Sequence, residues 1–251
     1  TEMYFEPDGT FPNHEANPLK FETLNDLIKQ IKKNKLYGGI AFDGDGDRAM
    51  LVDETGQVLT GGVMSALLAE YFLTKNPGAN IIYDARNSKV VPELVYENGG
   101  VAHRVKVGHS NIKEAMREKN SPFGGEASGH FYFKDNWYAD SGLLAAVIAI
   151  FIATINQQKL SEIRKKYTRY AVIPETNFVV SAKDSVLKAI KKTFKNETID
   201  ELDGITVTMN NGDWFNLRAS NTEPLIRLNA EAKKSADLEK IVKQVTNIIN
   251  S

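Results

Sequence analysis

The chain has 251 residues, 42% hydrophobic and 25% charged, a composition that fits a soluble globular protein of two or three domains. Lys plus Arg (31) nearly cancel Asp plus Glu (32), which argues against nucleic-acid binding through bulk charge. The absence of cysteine excludes a disulfide framework, a thiolate metal site and a cysteine nucleophile. The opening TEMYFEPDGT lacks the basic, apolar and cleavage-site succession of a signal peptide, so the expected setting is cytoplasmic.

Residues 1–20 are irregular and interrupted by prolines. Leu24, Leu27, Ile28 and Ile31 fall at helical spacing and predict a helix, with Thr23 and Asp26 as a capping pair. GGIAFD predicts a short buried strand ending in an aspartate cluster. AMLVDETGQVL predicts a hairpin turning at Glu54-Thr55-Gly56. The next elements alternate: helix Val63–Thr74, strand Asn80–Ala85, helix Lys89–Glu97, strand Val101–Val107 and helix Ile112–Lys119. This order is the signature of βαβ units with a parallel sheet. A glycine-rich loop, PFGGEASGHFYF, leads into the apolar helix Ser141–Ile155, which is too short for a membrane span and predicts a buried core helix. The lysine-rich stretch Leu160–Tyr170 predicts a linker, with a hinge near 165–170 that lets the following domain close on a ligand. Beyond it come strand Ala171–Val180, helix Asp184–Phe194, strands near 205–209, 213–218 and 224–230, and a final helix over 236–250, an α+β order.

The chemistry concentrates in three loops. In FDGDGDR, Asp43, Asp45 and Asp47 stand at alternate positions, separated by glycines and followed by Arg48. Carboxylates so spaced at a strand end can converge on one hard divalent cation. An EF-hand reading fails because Arg48 stands where that loop needs glycine and because the flanks read as strands. Three carboxylates leave a Mg²⁺ shell incomplete, phosphate is a common further ligand, and Arg48 is suited to bind that phosphate. The second loop, Gly124-Gly125-Glu126-Ala127-Ser128-Gly129-His130, is flexible and rich in acceptors, which suits a polyhydroxylated sugar. The third, Arg218-Ala219-Ser220-Asn221-Thr222-Glu223-Pro224 with Arg227 behind it, has the makings of a dianion cradle.

DGDGDR, GEASGH and RASNTEP, in this order, resemble the α-D-phosphohexomutases, and Pro7–Pro18 and KVGHS (Lys106–Ser110) look like further family segments. The resemblance covers essentially the whole chain. It implies the C-terminal part of mutase domain 2 with the metal loop (1–58), an α/β domain 3 with a mixed sheet and the sugar loop (59–168), and an α+β, TBP-like domain 4 with the phosphate loop (169–251). It implies Mg²⁺ on Asp43, Asp45 and Asp47, and Arg48 beside a phosphoserine. Lys106, Gly108, His109, Glu126, Ser128 and His130 would form the sugar site. Arg218, Ser220, Asn221, Thr222 and, less directly, Glu223 and Arg227 would bind the phosphate that is not transferred. His14 gets no chemical role, His103 a structural one, and Trp137 and Tyr138 are expected to pack.

The implied activity interconverts hexose 1-phosphate and hexose 6-phosphate through a phosphoserine and a glucose or mannose 1,6-bisphosphate intermediate. The family's serine lies in a T-A-S-H-N-P-like loop of its first domain, and these 251 residues hold no Ser-His-Asn run. The chain is therefore expected to lack the phosphoserine domain, to be inactive alone, and to leave the edge of the GGIAFD sheet unpaired. Ala127 replaces the glutamine usual in phosphoglucosamine mutases, which favours mannose and glucose phosphates. The alternatives are a phosphoglucosamine mutase or a non-catalytic phosphosugar-binding module. The expected partner is a small phosphosugar, with no nucleic acid and no membrane, in a monomer or a dimer, with a swap through the open sheet edge.

Overall fold

Helix α1 (Asn25–Asn34) buries Ile31 against the first sheet, β1 (Gly38–Phe42), β2 (Ala49–Asp53) and β3 (Val58–Leu59), all antiparallel. This computed structural model describes every residue except Pro7, Asn221, Thr222 and Ser251. The chain divides into two compact units, Thr1–Arg104 with Gly108–Thr168, and Val105–Val107 with Arg169–Ser251.

In the first unit, Gly56, at φ +81°, closes the predicted hairpin and donates its N–H to Asp53 O. Among the described residues no strand pairs the outer side of β1. Helix α2 (Gly61–Lys75) follows, capped by Thr60, and is buried on almost every side through Ala69, as expected of a helix that is apolar all round. Next come β4 (Asn80–Asp84), α3 (Val90–Glu97), β5 (Val101–Val105) and α4 (His109–Glu118). The glycine-rich stretch is a small antiparallel extension of the same sheet, with β6 (Phe123–Gly125), β7 (Phe131–Phe133) and β8 (Ala139–Asp140). The second sheet runs β5-β4-β6-β7-β8, with β4 and β6 parallel. It is therefore mixed, and stacked rings of Phe72 and Phe123 fill the space under it.

Four local expectations need correction. Thr23 and Asp26 do not form a capping pair: Thr23 donates its hydroxyl to backbone carbonyls of Asn17 and Lys20, and Asp26 pairs with Lys29. Helix α5 (Gly142–Ile155) is only half buried, with alanines 145, 146, 149 and 153 facing inward and Leu143, Val147, Phe151 and Ile155 exposed. Close packing selects small residues on its inner face, so apolarity alone misreads the helix. The lysine-rich stretch is largely helix, α6 (Leu160–Tyr167), with Leu160, Ile163 and Tyr167 buried. Trp137 does not pack; it has φ +53° and is 84% exposed, while Tyr138 stacks under Arg117. No single helix of the described residues is long and apolar enough to cross a membrane.

The second unit is a six-stranded antiparallel sheet with helices α7 (Lys183–Thr193) and α8 (Ser235–Ile249). The strand expected over Ala171–Val180 is broken into β9 (Ala171–Val172) and β10 (Thr176–Val179) around Pro174, and both pieces pair the same strand. A short strand missed by the sequence reading, β11 (Thr198–Asp200), precedes β12 (Ile205–Thr208), β13 (Trp214–Ala219) and β14 (Leu225–Ala232). Leu238, Ile241, Val245 and Ile249 seat α8 on the core.

Candidate functional site

The aspartate loop joins β1 to β2. Asp43 is buried, and both of its oxygens are held by Arg48: Oδ1 accepts the backbone N–H at 3.1 Å and Oδ2 the guanidinium Nε–H at 2.5 Å. Burial pushes the Asp43 carboxyl up, but the bonds and charge of Arg48 outweigh it and the net direction is down. Asp47 goes the other way, raised first by burial and then by the neighbouring aspartates. One ligand oxygen from each of Asp43, Asp45 and Asp47 lies within 4.8 Å of the others. Asp47 Oδ1 is buried without a hydrogen bond, an exception that a cation explains. The three residues thus fit a hard divalent ion.

The glycine-rich loop lies at the carboxyl end of parallel strands β4 and β6, where open α/β sheets bind ligands. Glu126, the residue after β6, is buried. Its Oε1 accepts the N–H of Gly108 at 3.0 Å, and its Oε2 accepts the Tyr132 hydroxyl at 2.9 Å and lies 3.2 Å from His130 Nδ1. Burial raises its carboxyl, but the bonds from His130, Gly108 and Tyr132 and the charge of Arg86 bring it down to about 2. Gly108 adopts φ +120°, a conformation that suits glycine, and so starts α4 with His109. Ser128 Oγ is 2.9 Å from His130 Nδ1, and His130 Nε2 stands 3.5 Å from Asp47 Oδ1. An isolated backbone bridge between Arg48 and His130 joins the two loops. Two glycines permit this closeness: a Cβ on Gly61 would sit 2.2 Å from Ala127 O, and one on Gly142 2.7 Å from the Arg48 backbone.

Asp43, Asp45, Asp47, Arg48, Gly108, His109, Glu126, Ser128 and His130 therefore gather in one unit. Lys106 is exposed, on the stretch Val105–Val107 that groups with the second unit. His103 has the structural role expected, its Nε2 2.7 Å from Asn80 Oδ1.

Sequence reasoning missed several supporting residues. Asp84, wholly buried at the end of β4, accepts the Ala127 N–H at 3.1 Å and the Arg86 Nε–H at 2.9 Å. Burial holds its carboxyl above the ordinary value despite Arg86. Asn87 donates to Gly125 O and so pins the end of β6. Asp140 pairs with Lys113 at 3.0 Å and lies 3.0 Å from His109 Nδ1. The run IIYD, an apolar strand closed by aspartate, carried a signal for Asp84; nothing local marked Asp140.

In the second unit, Arg218 and Arg227 are direct cross-strand partners on β13 and β14, with Asn177 of β10 opposite Arg227. Like charges directly opposite repel, and the carboxylates of Glu223 and Glu175 beside Arg227 offset part of that repulsion. Arg227 lies 3.4 Å from Glu223 and 3.8 Å from Glu175. Ser220 Oγ accepts the Glu223 N–H, and Lys183, also missed, donates to the carbonyls of Ser220 and Glu223. Asn221 and Thr222 lie outside the described residues.

The fold and these loops define an α/β protein with a cation-competent acidic loop against a buried glutamate–histidine loop, followed by an α+β unit with paired arginines. Three models of one family match in series: phosphoglucomutase/phosphomannomutase alpha/beta/alpha domain II on residues 1–56, alpha/beta/alpha domain III on 60–170, and the C-terminal domain on 175–248. The chain belongs to this family, within the α-D-phosphohexomutase superfamily. It is 43% identical over 243 residues to a phosphomannomutase of Methanocaldococcus jannaschii, covering 97% of this chain and 54% of that protein. It is 40% identical over 236 residues to a phosphomannomutase of Escherichia coli K12, covering 92% and 51%. The crystal structure of a phosphoglucomutase/phosphomannomutase family protein from Burkholderia thailandensis superposes with a TM-score of 0.88 at 32% identity, covering 99% of this chain and 54% of that one. The chain spans about half the length of the relatives it matches.

Proposed function

We propose that the protein carrying this chain interconverts hexose 1-phosphate and hexose 6-phosphate, with mannose and glucose as the sugars, through a phosphoserine and a sugar 1,6-bisphosphate. The observation that carries this reading is the approach of His130 Nε2 to Asp47 Oδ1 at 3.5 Å, which sets sugar-binding groups beside a cation loop. Asp43, Asp45 and Asp47 hold Mg²⁺, which supplies charge neutralisation to a phosphoryl group in transfer. Arg48 offers its remaining guanidinium N–H groups to that phosphate while it anchors Asp43. Glu126, held ionised by three donors, accepts sugar hydroxyls, and Ser128 and His130 complete the grip. Arg218, Ser220 and Arg227, with Asn221 and Thr222, bind the other phosphate. The names of the relatives and the alanine at 127 support mannose and glucose over glucosamine.

The 251 residues contain no Ser-His-Asn run, so this polypeptide alone is expected to bind phosphosugar without turning it over. The second reading is a phosphosugar-binding module. Two measurements test both. Calorimetry should detect glucose 1,6-bisphosphate binding that Glu126→Ala weakens; no binding would overturn the reading. A coupled assay from mannose 1-phosphate should show no turnover by the chain alone, and turnover would overturn its inactivity. Activity of a longer polypeptide bearing the serine loop would decide for the mutase, and its rate on glucosamine 1-phosphate would test the sugar preference.

A further inference from the structure

Behind the aspartate loop lies a second group of donors. One ligand atom from each of Asp47, His109, His130 and Asp140 falls within 4.8 Å of the others. We propose that these four residues form a site for a borderline-soft divalent cation of the zinc class, distinct from the all-oxygen aspartate loop and sharing only Asp47 with it. The proposal does not depend on the phosphosugar reading.

The donor set is the first argument. Two imidazoles and two carboxylates suit a four-coordinate ion of the zinc type, whereas Mg²⁺ favours oxygen ligands in an octahedron. Spacing is the second. With bonds of about 2.1 Å, tetrahedral ligand atoms stand roughly 3.4 Å apart. His109 Nδ1 lies 3.0 Å from Asp140 Oδ2, and His130 Nε2 lies 3.5 Å from Asp47 Oδ1, so small adjustments admit an ion.

The supporting contacts are the third argument. His130 Nδ1 is held by Glu126 and Ser128, which turns its Nε2 toward Asp47. A carboxylate behind one ring nitrogen is the usual support for a histidine that binds metal through the other. Lys113 holds the second oxygen of Asp140 in the same way. The fourth argument is the state of the oxygens. Asp47 Oδ1 and Asp140 Oδ2 are buried and neither makes an aligned hydrogen bond, although His109 is close to the latter. The Asp140 side chain is only 10% exposed. Two buried carboxylate oxygens and two imidazoles converging without an aligned bond among them leave a centre that a cation completes.

The test is Zn²⁺ titration of the 251-residue chain by calorimetry in Mg²⁺-free buffer, with the visible spectrum of the Co²⁺-loaded chain as a second readout. Asp45→Asn removes a residue of the aspartate loop alone. His109→Gln and Asp140→Asn remove residues of the second group alone. The wild-type chain and Asp45→Asn should bind Zn²⁺ with equal affinity and give the strong absorption of four-coordinate Co²⁺. His109→Gln and Asp140→Asn should each weaken binding by about 10-fold or more and lose that absorption. His109 is 46% exposed, so its variant should keep the fold, and an unchanged thermal melt checks this. Zn²⁺ affinity lost in Asp45→Asn and kept in His109→Gln, or no binding by the wild-type chain, would overturn the proposal.

Discussion

Arg164 of α6 donates its Nε–H to Asp53 of β2 at 2.7 Å, across 111 residues of sequence. Asp53 is wholly buried, and its other oxygen, Oδ1, accepts from Thr55 and Gln57. Next to it, Ser161 bonds to Glu54 through both its N–H and its hydroxyl. The segment that sequence composition marks as a linker is thus docked on the first hairpin. Removing the arginine strands a buried carboxylate. Arg164→Ala should destabilise the first unit by about 3 kcal/mol or more, with Arg164→Lys recovering part of it. The urea midpoint followed by circular dichroism measures both.

Carboxyls depressed in the folded state shape the acid limb of stability, and Asp53 and Glu126 are two of them, beside Asp43. Asp53 is pushed up by burial, but its hydrogen bonds from Thr55, Arg164 and Gln57 win and hold it below its ordinary value. Glu126 lies at about 2 against 4.5 when unfolded. A carboxyl depressed in the folded state adds stability above its unfolded value and loses it as pH falls through its folded value. Glu126 therefore contributes on the order of 3 kcal/mol above about pH 4.5, and this disappears toward pH 2. Denaturation at pH 7, 5 and 3 should show a flat region followed by a fall, and Glu126→Gln should shrink that fall.

Arg48 competes with a cation for Asp43. Removing its positive charge beside three aspartates should favour a cation and disfavour an anion. Arg48→Gln should tighten Mg²⁺ binding to the chain by roughly 3- to 10-fold and weaken phosphate binding at the same loop. Calorimetry with each ion checks the opposite signs. Weaker Mg²⁺ binding would show that Arg48 mainly shapes the loop rather than opposing the ion.

The cross-strand arginines of the second unit predict an anion-dependent stability. Inorganic phosphate at about 10 times its dissociation constant should add roughly 1.4 kcal/mol and raise melting by several degrees. Trp214, buried in this unit and bonded to Glu231, reports the transition by fluorescence. Arg218→Ala or Arg227→Ala should abolish the shift. A shift unchanged in both variants would move the phosphate site elsewhere.

Much of this was legible in the sequence, because alternating carboxylates, glycines and strand-ending patterns are local. FDGDGDR, GEASGH and the βαβ alternation all carry their meaning within a few residues. Several of the misreadings share one cause, which is packing between distant segments. Apolarity predicted a buried α5, but its inner face was chosen for size by contact with α2 and β2. Lysines predicted a linker at 160–170, whereas Leu160, Ile163 and Tyr167 bury one face and Arg164 reaches Asp53. Asp140 and Lys183 act through partners far along the chain or through backbone atoms, and no short motif announces them.

The backbone bridge between Arg48 and His130 has a mechanical meaning. Two different family models meet near residue 58, yet the residues on either side interlock through that bridge and through Gly142 against Arg48. A protease nick in the exposed part of the hairpin turn near Thr55 would therefore cut the chain without parting it. The two pieces should stay together through gel filtration and separate only in denaturant, so the boundary between the family models is not a seam of the folded molecule.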